Sequence, residues 1–258
     1  MKLIILKAHL KQGFSFIERS ITENQNLPII KNVLIKADTK VSLLGTNLEV
    51  GVTYTASAKI LEPGTICVPF APLHTIIQNS TSERINLESS GNLLVVKTDN
   101  YEAKLQGVPA EEFPIIPTIE NSANNFETAG EVLAGVLSQV GVAAATNDIK
   151  PELNSVLFDV QVDSLVCAAT DGFRLAEKRF PQNTISLKIE EPLKALVPLK
   201  TALEIARIFS ASDRVQVFFD EHQVMVKDEH TTLISRLIDG SYPEYHAIIP
   251  KEVPQEIV

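Results

Sequence analysis

The chain has 258 residues, of which 45% are hydrophobic and 21% are charged, and it contains no tryptophan. This balance is typical of a globular protein with a real core, and the length suggests two domains. The formal net charge of −9 argues against a protein that grips nucleic acid by overall electrostatic attraction.

The N-terminal run of residues 1–7 is too short for the hydrophobic region of a signal peptide, and no apolar stretch is long enough to span a bilayer. Cys67 and Cys167 are isolated within apolar, strand-like runs, which indicates reduced core residues and neither a disulfide nor a metal pair. The sequence therefore predicts a cytoplasmic protein without membrane contact.

In the first half of the chain, short strands surround two predicted helices. A strand at Lys2–Leu6 precedes a helix over residues 8–21, because Leu10, Phe14 and Ile17 recur at helical spacing. Strict alternation over residues 49–60 predicts one long strand. The other predicted elements are a helix at Phe70–Asn79 and strands at residues 29–37, 41–45, 65–68, 84–88, 93–98 and 101–106.

A polar segment with two prolines, residues 111–125, is the predicted linker. After it the pattern restarts with a strand at residues 126–128 and a helix at residues 129–145, and Tyr242-Pro243 parallels Phe113-Pro114. Each half is predicted to run strand, helix, three strands, strand, helix, three strands. This duplication predicts an α+β fold of tandem domains, each with two helices packed on antiparallel sheets.

Two stretches of the second half carry the most specific signals. Val-Cys-Ala-Ala at residues 166–169 predicts a strand, and Thr-Asp-Gly at residues 170–172 predicts a tight turn, because Asp bonds its own backbone and Gly accepts positive φ. Phe-Arg-Leu-Ala at residues 173–176 is predicted to resume an apolar strand. An ordinary hairpin with a surface arginine is the alternative. The second stretch is Leu-Ile-Asp-Gly-Ser-Tyr-Pro-Glu-Tyr at residues 237–245.

Together these two stretches resemble the bacterial replicative sliding clamps, the beta subunits of DNA polymerase III. Leu-Pro-Ile-Ile-Lys-Asn-Val-Leu-Ile at residues 27–35 and Gly-Thr-Asn-Leu-Glu-Val at residues 45–50 resemble the first domain of that family in the right order. The resemblance covers essentially the whole chain and implies a DNA clamp fold, with helices lining a central channel and sheets outside. A ring that slides on DNA needs no strong phosphate grip, so the acidic net charge is compatible with it.

The resemblance implies a non-catalytic processivity factor that encircles duplex DNA independently of sequence and tethers DNA polymerase III through a peptide groove. The implied partners are duplex DNA, the alpha subunit of DNA polymerase III, the clamp loader and other proteins with a clamp-binding motif. The full-length form is expected to self-associate into a ring. No cofactor or metal is expected.

The family has three domains per chain and closes as a dimer. The predicted domains here are residues 1–122 and 123–250, and residues 251–258 are predicted to begin the linker to a third domain. We expect a truncated form that is monomeric or weakly associated. A two-domain clamp that closes as a trimer is the alternative, and the mass in solution separates the two.

The resemblance carries two sets of site residues. The predicted second-domain wall of the peptide groove is Leu153, Thr170, Gly172, Phe173, Arg174, Leu175, Pro243 and Ile248. The predicted DNA contacts are Lys11, Arg19, Asn24, Gln25, Asn147, Lys150, Lys200 and Arg207. The alternatives are a mere seal between domains for the first set and ordinary solvated surface for the second. Ala247 departs from the basic residue often found at its position in the family.

No catalytic arrangement is visible in the sequence. It lacks a glycine-rich phosphate loop, His-Glu-x-x-His, Cys-x-x-Cys and Gly-x-Ser-x-Gly. Asp171 and Asp239 lie in Asp-Gly turns, which explain them without a metal. A polymerase or nuclease with its own metal site and a ring-less peptide-binding adaptor are the alternative functions, and nucleotide incorporation by this chain alone would favour the enzyme.

Overall fold

The computed structural model describes residues 1–22, 24, 26–119, 124–147 and 149–249. Within them one order of elements occurs twice: strand, helix, five strands, helix, three strands. The first unit consists of β1 (Lys2–Leu6), α1 (Lys7–Ile17), β2 (Asn32–Ala37), β3 (Val41–Thr46), β4 (Val50–Ala56), β5 (Lys59–Glu62), β6 (Gly64–Pro69), α2 (Phe70–Asn79), β7 (Arg84–Ser90), β8 (Leu93–Lys97) and β9 (Glu102–Gln106). The second unit consists of β10 (Asn125–Thr128), α3 (Gly130–Gly141), β11 (Ser155–Val160), β12 (Leu165–Thr170), β13 (Leu175–Arg179), β14 (Ile185–Lys188), β15 (Leu193–Pro198), α4 (Leu199–Phe209), β16 (Val215–Phe219), β17 (Gln223–Lys227) and β18 (Thr231–Arg236).

The strands form three antiparallel sheets, and one of them crosses from unit to unit. Its nine strands run β14-β10-β16-β17-β18-β4-β3-β2-β6, with Thr231 of β18 opposite Tyr54 of β4 and Ser235 opposite Val50. The first unit contributes a separate sheet β5-β1-β7-β8-β9, and the second contributes β13-β12-β11-β15. Main-chain hydrogen bonds therefore join the two units directly.

The repeat explains how many strands each of these sheets contains. The five-stranded sheet matches the β14 to β18 half of the nine-stranded sheet, and the four-stranded sheet matches the β4 to β6 half. Strand β9 thus occupies the position of β18, and β13 occupies the position of β4. Within the described residues, β9 pairs only with β8 and β13 only with β12.

The predicted α+β class, with two helices per unit on antiparallel sheets, is confirmed. The prediction of a single strand over residues 49–60 was wrong, since β4 and β5 belong to different sheets. Strand β14 was not predicted either. The first unit therefore gains a strand where residues 49–60 divide, the second gains β14, and each has one more strand than expected. Alternation reports which face of a strand is buried and not which sheet the strand joins, so it misses a change of sheet.

Three element boundaries also differ from the predictions. Helix α1 ends at Ile17 and continues as a 3-10 turn at Glu18–Ser20, whereas the predicted helix ran to residue 21. Helix α3 ends at Gly141, although residues 143–145 are still buried and extend the apolar pattern. The 3-10 turn Pro28–Lys31 precedes β2, because proline fits the first position of such a turn.

Each helix packs an apolar stripe against the sheets, and α1 buries Leu10, Phe14 and Ile17. Cys67 and Cys167 are buried free thiols, as predicted, and burial raises the pKa of Cys67 to about 12. No helix among the described residues is long and apolar enough to cross a membrane.

Candidate peptide groove and DNA-facing surface

The loop between β12 and β13 is a self-bonded turn. The Thr170 hydroxyl donates to the carbonyl of Arg174 at 2.6 Å and accepts from the Gly172 amide at 3.0 Å. The Asp171 carboxylate accepts from the amides of Phe173 at 2.9 Å and Arg174 at 3.0 Å. Gly172 has φ of +90°, a conformation that glycine adopts without strain. The predicted Thr-Asp-Gly turn is confirmed.

The charge of Asp171 is part of this turn. Hydrogen bonds from the backbone amides of Arg174 and Phe173 stabilise the carboxylate and hold its pKa below the usual range. The Nε atom of Arg174 also donates to the second carboxylate oxygen at 3.0 Å. Asp171 therefore positions the arginine and fixes the loop, which explains it without a metal.

The first unit contains the same turn between β3 and β4. Thr46 Oγ1 donates to the Val50 carbonyl at 2.9 Å, and the Asn47 side chain accepts from the amides of Glu49 and Val50. Leu48 takes the place of Gly172, with φ of 75°. This shared geometry shows that Thr46 and Thr170 hold equivalent positions in the two units. It also shows that either Asn or Asp supports the loop.

The far side of the turn is exposed. Phe173 is 98% exposed and Arg174 is exposed as well, so β13 starts at Leu175. The prediction that Phe173 begins an apolar strand was wrong, because the Asp171 hydrogen bonds keep residues 171–174 in the turn. A rigid turn therefore presents an aromatic ring and a guanidinium to solvent.

Apolar side chains lie behind this turn. Leu153, in the 3-10 turn Pro151–Leu153, and Thr170 are buried, while Leu175 is half-buried. Leu175 packs against a cluster that contains Tyr242 and Tyr245, two buried side chains of the segment after β18. Pro243 is exposed between these tyrosines. Ile248 belongs to the 3-10 turn Tyr245–Ile248, but its side chain lies outside the described residues.

A surface cavity of about 470 Å³ collects part of the predicted groove wall. Leu153, Gly172, Phe173 and Arg174 line it, whereas Thr170, Leu175 and Pro243 do not. Sequence reasoning missed Ile149, which also lines the cavity and is 83% exposed. An isolated isoleucine in a polar loop was the signal that could have found it.

The predicted DNA contacts lie in different surroundings. Asn147 and Lys150 line the cavity beside Phe173, and Lys200 and Asn24 are exposed elsewhere. Lys11 is half-buried on α1. Gln25 lies outside the described residues.

Arg19 and Arg207 differ from the others because both bind Glu204. The Arg19 Nη1 atom lies 2.7 Å from Glu204 Oε1, and the Arg207 Nη2 atom lies 2.7 Å from Glu204 Oε2. The hydrogen bond to Glu204 raises the pKa of Arg19. The structure therefore brings these two arginines together around one carboxylate, and Lys200 lines the same surface cavity as Arg19.

The described residues contain no group of three or more His, Cys, Asp or Glu side chains that could hold a metal ion. Paired metals of a polymerase or nuclease need clustered carboxylates.

Comparisons with known proteins show the family of the chain. The family model for the N-terminal domain of the DNA polymerase III beta subunit matches residues 1–117, and the model for its central domain matches residues 127–244. The beta sliding clamp of Pseudomonas aeruginosa is 29% identical over 255 residues, which cover 97% of this chain and 68% of that protein.

Solved structures share the fold. A DnaN sliding clamp from Pseudomonas aeruginosa, crystallised with griselimycin, has a TM-score of 0.91 at 27% identity, covering 98% of this chain and 68% of that one. The Helicobacter pylori beta clamp bound to a DNA ligase peptide has a TM-score of 0.88 at 23% identity, covering 98% and 70%. Because two domain models of one family match successive parts of the sequence, the chain belongs to the DNA polymerase III beta subunits, the non-catalytic sliding clamps of bacterial DNA replication.

Proposed function

We propose that this chain forms part of a ring that encircles duplex DNA and tethers partner proteins through the groove beside Phe173. The observation that carries the proposal is the junction between the units, where β18 continues the sheet of β4 by main-chain hydrogen bonds. Strands β9 and β13 hold the equivalent positions and pair on one side only within the described residues. Repetition of such a head-to-tail contact produces a closed ring when the rotations between successive units add up to a full turn. By the same geometry, the edge of β13 would pair with the next unit of the ring and the edge of β9 with the preceding one.

The division into domains supports this repeat. The family models end at residue 117 and resume at residue 127, which favours the predicted domains of residues 1–122 and 123–250. Residues 251–258 lie outside the described residues, and their role as the start of a linker stays a prediction.

The charge distribution supports DNA on the helical side. The four helices carry four basic side chains (Lys7, Lys11, Lys200 and Arg207) and two acidic ones (Glu131 and Glu204), a net charge of +2. The whole chain has a net charge of −9, so everything outside the helices sums to −11. Duplex DNA is therefore repelled least by the helices. The modest positive charge suits a surface that slides along phosphates.

A salt titration tests the DNA surface. Neutralising Lys11, Lys150 and Lys200 together should lower the slope of log affinity against log salt, by about 0.9 for each phosphate that is no longer neutralised. Sequence preference should stay unchanged, because bonds to phosphates carry no sequence information. The matched control neutralises three exposed lysines outside the set: Lys40, Lys59 and Lys178. Equal slopes for both triple variants would contradict the assignment.

The groove is proposed to take a short peptide of the type Gln-x-x-Leu-x-Phe. The alpha subunit of DNA polymerase III, the clamp loader and other proteins with a clamp-binding motif are the proposed carriers. The buried Leu153 and half-buried Leu175 suit aliphatic anchors, and Arg174 can donate to a peptide carbonyl. We expect a Kd of tens of micromolar or weaker, about −6 kcal/mol, from fluorescence anisotropy with a labelled peptide. A scrambled peptide with equal affinity would refute the proposal.

Bacterial DNA replication takes place in the cytoplasm, so we place the protein there.

A further inference from the structure

We propose that Arg207, oriented by Glu204, fixes the angle between the two units by capping the C-terminal end of helix α1. Arg207 lies on α4 of the second unit, and the carbonyls that it binds belong to the first unit. Arg207 thus sets the orientation of α4 relative to α1 and does not itself bind DNA.

Four of the five N–H groups of the Arg207 guanidinium have a partner. Its Nη1 atom donates to the Ser15 carbonyl at 2.7 Å, and Nη2 donates to the Phe16 carbonyl at 3.4 Å. Nε and Nη2 donate to Glu204 Oε2 at 2.9 and 2.7 Å. The side chains of Arg207 and Glu204 are only 26% and 17% exposed, so water screens this pair less than a surface ion pair. Little of the guanidinium is left for a phosphate.

The position of these carbonyls explains why a cation is favourable. Ser15 and Phe16 lie in the last turn of α1, where carbonyls lack partners within the helix and the helix dipole is negative. Helix α1 has no basic residue in its own last turn. Arg19, in the 3-10 turn that continues α1, binds Glu204. The cation that bonds these two carbonyls comes from the second unit, which couples the end of α1 to α4.

A second contact connects α4 to the strand at the junction. The Thr201 and Ser235 hydroxyls are buried and lie 2.9 Å apart, which ties α4 to β18. Strand β18 is bonded to β4 of the first unit, and the Arg236 amide donates to the Glu49 carbonyl at 3.0 Å. The junction thus has two layers, a β-ladder on one side and the Arg207 cap on the other. A ladder alone can twist, and a second layer of bonds restrains that twist.

Hydrogen exchange measured by mass spectrometry tests the inference on the full chain. Arg207→Ala should speed exchange by about five- to tenfold in the last turn of α1 and in β4 and β18, because each loses bonds that restrain local opening. Arg207→Lys should not restore protection, since an ammonium cannot bridge two carbonyls and a carboxylate. The control Lys200→Ala changes an exposed cation on the same helix and should leave exchange unaltered.

A DNA salt titration on the same variants separates positioning from phosphate binding. Lys200→Ala should lower the salt slope, whereas Arg207→Ala should leave it unchanged. If Arg207→Ala does not fold, Glu204→Gln keeps the side-chain shape, removes the charge that orients Arg207 and should speed exchange at the same segments. Unchanged exchange in Arg207→Ala, or in Glu204→Gln when only that variant folds, would overturn the inference. A salt slope for Arg207→Ala that falls as it does for Lys200→Ala would also overturn it.

Discussion

The ring of Phe173 is the most exposed large hydrophobic side chain among the described residues, at 98%. The backbone beneath it is fixed by Asp171 and not by the ring, so Phe173→Ala should change the free energy of unfolding by less than about 0.5 kcal/mol. A loss of peptide affinity in this variant would therefore report a contact with the peptide and no damage to the fold.

The expected loss follows from area. A fully buried phenylalanine covers about 150–250 Å². A peptide that lies across one face of the ring would cover about 80 Å², which at about 25 cal/mol per Å² amounts to about 2 kcal/mol. The Kd of the Gln-x-x-Leu-x-Phe peptide should thus rise about thirtyfold. An NMR titration measures affinities in this weak range.

The matched control is Tyr101→Ala, which removes an aromatic ring that is 56% exposed on the first unit. Its Kd should equal that of the unchanged chain. Equal affinity in Phe173→Ala and the unchanged chain would refute the placement of the peptide across Phe173, as would an equal loss in both variants.

Three further predictions concern the groove and the junction. Leu175→Ala should weaken the same peptide by about 1–2 kcal/mol through reduced apolar burial, as titration would show; an unchanged Kd would argue against a cup at this position. Asp171→Asn should keep the turn as Asn47 does in the first unit, whereas Asp171→Ala should lower the urea midpoint. The pKa of Asp171 is depressed in the folded state, so the carboxylate contributes stability above its unfolded pKa, near 3.8. This contribution is lost as the pH falls through the folded value. A pH series of urea midpoints that is identical for the unchanged chain and Asp171→Asn would contradict this. Gly51→Ala should destabilise by about 1–3 kcal/mol, because a Cβ there would lie 2.7 Å from Ile116 Cγ2, and adding Ile116→Ala should recover part of the loss in a double-mutant cycle; strictly additive losses would exclude the clash.

The turn at residues 170–174 was predictable because its hydrogen bonds are local. Asp171 and Gly172 determine it within five residues of sequence, whatever the rest of the chain does. The exposure of Phe173 was not predictable in this way. An aromatic residue before Leu175 favours a strand by pattern, and only the bonds to Asp171 keep it outside β13.

The bonds between the two units were beyond sequence reasoning. Arg207 binds a carbonyl 192 residues away in the chain, and Arg19 reaches a carboxylate 185 residues away. A basic residue on an amphipathic helix looks the same in sequence whether it meets a phosphate or a helix end. Likewise, the strand pattern of residues 49–60 does not reveal that β4 pairs with a strand of the other unit.

Chemical-shift mapping of the Gln-x-x-Leu-x-Phe peptide on the isotopically labelled chain tests the central claim most directly. We predict that the shifted amides cluster at residues 170–175, around Leu153 and beside Tyr242, where the turn and its apolar support meet. Shifts that cluster on α3, away from this turn, would place the peptide elsewhere and contradict the assignment of a partner groove to the second unit.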